Sequence, residues 1–240
     1  MDKKTTTGHI TALVTIMIWG TTFISTKILL ADFTPIEILF FRFLLGLLVL
    51  IIIYLKSLKI KDKKQELTFA AAGLCGICLI SFNGKELELN PIGDILAVVA
   101  ALVWAVYSLL TRKISSYGLN TIGTTRKIFT YGILFMLPFL FVFDFNLDVQ
   151  KVIKSEYALN LIYLGLGASA LCFVTWNYAV GVLGTVKTSV YIYIVPVITA
   201  TSSVIALNEK ITWIAAIGIG LTLIGLFLSE SKLKFRKRGK

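Results

Sequence analysis

Few residues in this chain have side chains that could act on a substrate, and nearly all of them lie in apolar surroundings. Cys75 and Cys78 have the Cys-x-x-Cys spacing of redox and metal sites, but no further Cys or His stands near them. Such a pair reads as two small residues at a helix contact. His9 is the single histidine, expected in solvent at the edge of an apolar block. The chain has no Gly-rich phosphate loop ending in Gly-Lys-Ser or Gly-Lys-Thr, no carboxylate or histidine set for a metal, and no nucleophile elbow. That pattern argues against an enzyme; no catalytic residue, metal site or cofactor is expected.

The remaining chemistry is binding. Trp19, Thr22, Trp104, Tyr107, Trp176, Asn177, Tyr178, Tyr191 and Tyr193 all fall in apolar stretches. Aromatic faces with a few hydroxyls and amides suit a cavity for a small organic molecule. The competing reading is helix packing and interfacial belts; Asn177, deep in its stretch, fits a belt least well. Pro196 removes a backbone donor and can kink its helix. Lys27 and Arg42 are cations within spans. They either snorkel to outer headgroups or pair with Asp32 or Glu37, or they form a charged outer gate. Glu209 is a further charge at the outer side and reads as a local pair with Lys210 in a short turn.

These residues are carried by a membrane protein. The chain is 57% hydrophobic and 15% charged, and its mean hydropathy is +0.85. Soluble domains are about 45–50% apolar and about 25% charged. Apolar blocks run at about 10–31, 35–55, 67–83, 92–111, 125–143, 157–180, 183–207 and 211–229. Only helices or closed barrels satisfy the backbone in lipid, and the alternation of a barrel is missing, so an all-α polytopic protein with eight spans is expected. The third block is short. Residues 67–82 would make a helix about 24 Å long at about 1.5 Å per residue, against a bilayer core of about 30 Å.

The net charge of +11 is not one nucleic-acid-binding patch but is spread over the connections. With both termini cytoplasmic and eight crossings, Lys3, Lys4, Lys56, Lys59, Lys61, Lys63, Lys64, Arg112, Lys113, Arg126, Lys127, Lys187 and the tail from Lys232 to Lys240 lie inside. Only Lys27, Arg42, Lys85, Lys151, Lys154 and Lys210 lie at the outer side or outer helix ends. Cytoplasmic loops carry the excess of Lys and Arg. Without the third crossing, Arg112, Lys113, Arg126, Lys127 and the tail would all be outside, so the charges favour a crossing third helix.

The chain also repeats itself. Trp19 precedes the pair Thr26-Lys27 as Trp104 precedes Thr111-Arg112, and Arg42 and Lys127 each follow their Trp by 23 residues. The second copy has five apolar blocks and the first has three. Residues 67–73 align with 161–167 at an offset of 94, and 76–80 with 220–224 at an offset of 144. About 50 residues of the second copy therefore lack a counterpart in the first, with a junction at 73–76.

The sequences Ile18-Trp19-Gly20-Thr21-Thr22-Phe23, Phe41-Arg42-Phe43, 101–107 around Trp104, Val195-Pro196-Val197 and Leu207-Asn208-Glu209-Lys210 make the chain resemble the EamA family of the drug/metabolite transporter superfamily. The resemblance implies two five-helix repeats of opposite orientation with both ends cytoplasmic; here that becomes 3 + 5 helices. The expected organisation is a truncated first repeat at 1–84, a complete second repeat at 85–231 and a basic cytoplasmic tail at 232–240. The implied function is a plasma-membrane permease or exporter of small organic metabolites such as amino acids or drugs, working by alternating access. The alternative is a transport-inactive or dimer-dependent protein. Membrane lipid and a small-molecule substrate are the expected partners, with a homodimer allowed and nucleic acid not expected.

This topology makes a direct prediction. A thiol introduced by Ser116→Cys should react with a membrane-impermeant maleimide only from the cytoplasmic side, and one introduced by Glu88→Cys only from outside. Labelling of Ser116→Cys from outside would contradict a crossing third helix.

Overall fold

The computed structural model describes residues 2–56, 63–81, 91–143, 145–207, 213, 216–221 and 224. Glu209, the turn around it and the 232–240 tail lie outside the described residues. So do the side chains of Cys75 and Cys78. The elements are α1 (Lys3–Leu29), α2 (Pro35–Ile53), α3 (Lys63–Ser81), α4 (Pro91–Ser115), α5 (Thr121–Val142), the short α6 (Val149–Ile153), α7 (Ser155–Leu183) and α8 (Thr185–Ala206). Residues 213, 216–221 and 224 are helical too. Among the described residues, six helices are long and apolar enough to cross a membrane: α1, α2, Val98–Ser115 of α4, α5, α7 and α8. The chain is thus an all-helical, polytopic membrane protein.

Local signals set the helix boundaries. Thr34 and Glu37 form a reciprocal capping box at the start of α2, with Pro35 in its first turn. Asn120 accepts backbone N–H bonds from Ile122 and Gly123 at the start of α5. Gly184, at φ +88°, supplies the left-handed residue that separates α7 from α8. The third apolar block starts earlier than its hydropathy indicates. Helix α3 begins at Lys63 and has 19 residues, about 28 Å at about 1.5 Å each. It is not one of the six spans, because its first turn is Lys-Lys-Gln-Glu.

Among the described residues, two helices depart from regular α geometry. Tyr163–Leu171 of α7 is π-helical, a widening often found at functional sites. Val190–Ile194 of α8 is 3₁₀, and Pro196 lies in the first turn of the α-helical section after it. The irregularity in α8 therefore precedes the proline, and the ring occupies a position where its missing N–H costs little.

Helix α7 is the central packing element. It lies against α1, α2, α4 and α5, while α3 lies against α4 and α5 and α8 against α1. The two ends of the bundle differ in charge. At one end Arg112 donates to the carbonyls of Val180 and Gly181, and Arg126 donates to those of Tyr54 and Lys56. Helix C-termini leave carbonyls without partners, so these cations cap α7 and α2. Lys127 pairs with Glu66 of α3 at 2.8 Å. At the other end Tyr157 donates to the Asp32 carboxylate, and Glu37 is buried over its own N-terminus.

The π-helical section meets α2 at very close range. A Cβ at Gly165 would lie 2.6 Å from the Leu45 Cβ, whereas one at Gly167 would come no nearer than 3.6 Å to the Tyr163 ring edge and 4.0 Å to the Ile18 side chain. Gly165→Ala should therefore lower thermal stability by about 1–3 kcal/mol through overpacking. Gly167→Ala should stay within about 0.5 kcal/mol of the parent. Melting in detergent checks both; equal effects would contradict the packing.

Candidate substrate-binding site

Three of the four tryptophans meet where α1, α4 and α7 converge. Ring centroids of Trp19 and Trp104 are 5.6 Å apart, of Trp19 and Trp176 5.3 Å, and of Trp104 and Trp176 5.6 Å. Tyr107 stacks on Trp104 at 5.5 Å, and Phe173 packs edge-on to Trp19 at 5.5 Å. Tyr107 and Trp176 are fully buried. Edge and offset contacts of this kind add about 0.5–1.5 kcal/mol each beyond the area they bury. The Trp19 indole N–H donates to the Ala168 carbonyl at 2.9 Å, inside the π-helical section.

Several polar contacts join α1 to α7 around this cluster. Tyr163 Oη donates to the Ile18 carbonyl at 3.1 Å and lies 2.5 Å from Thr21 Oγ1. Thr15 and Thr175 join their hydroxyls at 2.6 Å. Thr22 Oγ1 donates back to the Trp19 carbonyl at 2.7 Å.

Asn177 ties three helices together beside the cluster. Tyr107 Oη donates to its Oδ1 at 3.1 Å, and its Nδ2 donates to Thr125 Oγ1 at 3.0 Å. Next to it, towards the basic end, a cavity of about 210 Å³ opens between α4, α5 and α7. Thr111, Ser115, Thr121, Thr124, Asn177 and Tyr178 give it its polar lining, and Ile114, Leu119 and Ile128 part of its apolar lining. The expected cavity residues thus form two adjoining groups. Trp19, Trp104, Tyr107 and Trp176 make the aromatic cluster, and Asn177 and Tyr178 line the cavity.

The other candidates sit elsewhere. Tyr193 is 48% exposed and Pro196 is exposed as well. Tyr191 lies at the basic end, where its Oη is 2.6 Å from His9 Nδ1. This corrects the expectation that His9 is simply solvated: the ring is half-buried and held by α8. Lys27 is exposed in the last turn of α1. Arg42 pairs with neither Asp32 nor Glu37. Its Nε–H donates to Ser169 Oγ at 3.0 Å, and its guanidinium carbon is 5.7 Å from the Phe43 ring centroid. Glu37 instead accepts from the backbone of Thr34 and Asn146, with Lys151 4.0 Å away.

Sequence reasoning missed Ser108, Thr111, Ser115 and Thr124. The signal for the first three was present. With Trp104 they recur at spacings of four, three and four along α4, one polar stripe on an otherwise apolar helix.

Comparison with known proteins fits this architecture. The model of the EamA-like transporter family matches residues 6–84 and again 91–230. An "uncharacterized transporter" of Archaeoglobus fulgidus is 26% identical over 293 aligned positions, which take in 97% of this chain and 99% of the relative. Since 97% of 240 residues is about 233, about 60 of the 293 positions have no counterpart here. A "probable amino-acid metabolite efflux pump" of Escherichia coli is 24% identical, over 72% of this chain and 60% of the relative. A "probable terminal-alkyne amino-acid exporter" of Streptantibioticus cattleyicolor is 24% identical, over 72% and 57% respectively. The chain covers less than two thirds of these last two. With its matches on both sides of residue 90 and its apolar helices, this integral membrane protein belongs to the EamA-like transporter family, a family of transporters and not of enzymes.

Proposed function

We propose that the chain carries small organic metabolites, amino acids or drug-like molecules among them, across the plasma membrane by alternating access. Its two helical repeats have opposite orientation, at 1–84 and 85–231, with 3 + 5 helices, and both termini and the 232–240 tail are cytoplasmic. The basic end of the bundle is the inner one, in keeping with the distribution of Lys and Arg. The names of the Escherichia coli and Streptantibioticus relatives support the metabolite class.

The observation that carries this reading is the contact between Trp19 and Trp104. Their positions correspond in the two halves of the sequence, and their rings pack at 5.6 Å. Corresponding residues meet in this way near a pseudo-two-fold axis, which is where secondary transporters place their substrate path. The outer gate of this scheme contains Lys27, Arg42 and Glu209. Arg42 supports it best: its Nε–H donates to the uncharged Ser169 hydroxyl, and a cation in a span marks function by default.

A second reading is favoured by the roughly 60 positions of the Archaeoglobus relative that have no counterpart here. A first repeat shortened near 73–76 lacks one helix pair. The protein would then require a second copy to complete its path, or would no longer transport. Mass measurement in detergent separates a dimer from a monomer.

Saturable uptake of at least one amino acid from a panel is expected in proteoliposomes of the purified chain. Trp19→Phe, which removes the donor to Ala168, should lower that uptake by roughly tenfold, the scale of one buried hydrogen bond. Trp213→Phe, at a ring 86% exposed, should leave it unchanged. Folded protein that moves no solute would contradict the transport reading.

A further inference from the structure

Four buried polar atoms in and beside the site lack a hydrogen-bond partner: Trp104 Nε1, Ser108 Oγ, Thr111 Oγ1 and Trp176 Nε1. Three of them belong to α4 at positions i, i+4 and i+7, and the fourth sits on α7 with its ring 5.6 Å from Trp104. Ser108 is 3% exposed and Thr111 2%. Orphaned donors of this sort are costly in the interior, and native structures keep few of them.

The two hydroxyls also depart from the habit of this chain. Thr15, Thr22, Thr68, Thr124, Thr125, Thr175 and Ser202 all bond back to a carbonyl three or four residues earlier in their own helix. That is the ordinary way a hydroxyl is satisfied in a membrane helix. Ser108 and Thr111 forgo it. Thr111 lines the 210 Å³ cavity, and Ser108 and Trp104 continue the same stripe from it to the tryptophan cluster.

Resting on the transport reading above, the geometry points to this recess as a binding site for a small, net-neutral zwitterion, of the size and kind of alanine or serine, built by α4, α5, α7 and the α4–α5 turn. The chemistry of the lining sets the class. The hydroxyls of Thr111, Ser115, Thr121 and Thr124 can each donate to a carboxylate and accept from an ammonium, so the occupant carries both kinds of group in a small frame. Among the described lining residues there is no Asp, Glu, Lys or Arg, so a net charge would enter without a partner, which is unfavourable. The volume of about 210 Å³ is below the range of about 300–1,000 Å³ usual for drug-sized ligands. All of the lining lies after residue 110, so a shortened first repeat leaves the site intact.

The test measures equilibrium binding of labelled alanine and serine to the full chain in nanodiscs, beside flux of the same solutes in proteoliposomes. Saturable binding is expected, displaced by the other small zwitterion and not by aspartate, lysine or tryptophan. The near-isosteric Thr111→Val, and Ser108→Ala and Ser115→Ala, should each weaken it roughly fivefold or more with melting unchanged. Thr130→Val, on the exposed side of α5, should not. Absence of binding by either solute, a recess that holds only water, equal displacement by aspartate or lysine, or indifference to all three substitutions would each overturn the site. Flux that these variants leave untouched removes the recess and keeps transport. Binding that they weaken, without flux, keeps the recess and removes transport.

Discussion

This bundle depends on satisfying most of its polar groups where no water can do so, and the bond from the Trp19 indole to the Ala168 carbonyl does this at the centre of the aromatic cluster. That carbonyl belongs to the π-helical section of α7, and α1 supplies a donor to it. In hydrocarbon each group left unsatisfied costs several kcal/mol, and this bond satisfies the Trp19 N–H. Once Trp19 is fixed there, Trp104 and Trp176 close around it, and α1, α4 and α7 converge on one point. The hydroxyl contacts of Tyr163 and Thr15 extend the same seam along α1.

The remaining helices follow from that seam. Helix α2 approaches the π-helical section closely because Gly46 and Gly165 carry no Cβ; one at Gly46 would lie 3.2 Å from the Gly165 carbonyl oxygen. Helix α3 is seated on α5 by the same device, since a Cβ at Gly73 would be 2.8 Å from the Gly132 backbone nitrogen. Small residues that admit backbone contact are the main source of helix association where lipid removes the hydrophobic drive. The residue at the expected repeat junction is therefore a packing residue, and α3 fills the side of the second half that faces it. Arg112 and Arg126 then close the helix ends that face the basic side.

Much of this was legible in the sequence, for identifiable reasons. Hydropathy located α1, α2, α4, α5, α7 and α8 because lipid demands long apolar helices whatever the tertiary context. The charge pattern anticipated the grouping of Arg112, Arg126 and Lys127 at one end, and the paired tryptophans singled out the residues at the centre. What was not legible required partners in space. The Trp104–Ser108–Thr111–Ser115 stripe carries no motif that a sequence would flag, yet its Thr111 and Ser115 line the cavity. Hydroxyls in apolar helices are ordinarily bonded to their own backbone, and only coordinates show which are not. His9 reads as solvated until the 3₁₀ section of α8 brings Tyr191 to it, and Arg42 invites a carboxylate partner until Glu37 is found capping α2. The π-helical section itself has no signal in composition.

On the proposed reading, this bundle exposes a single solute site alternately to the two sides of a membrane. Counterflow tests it most directly. Vesicles holding the purified chain are loaded with unlabelled alanine or serine and diluted into a trace of the labelled solute. An alternating carrier predicts a transient accumulation of label above its equilibrium level, larger with higher internal loading. Entry that rises monotonically to equilibrium and ignores the internal load would contradict it.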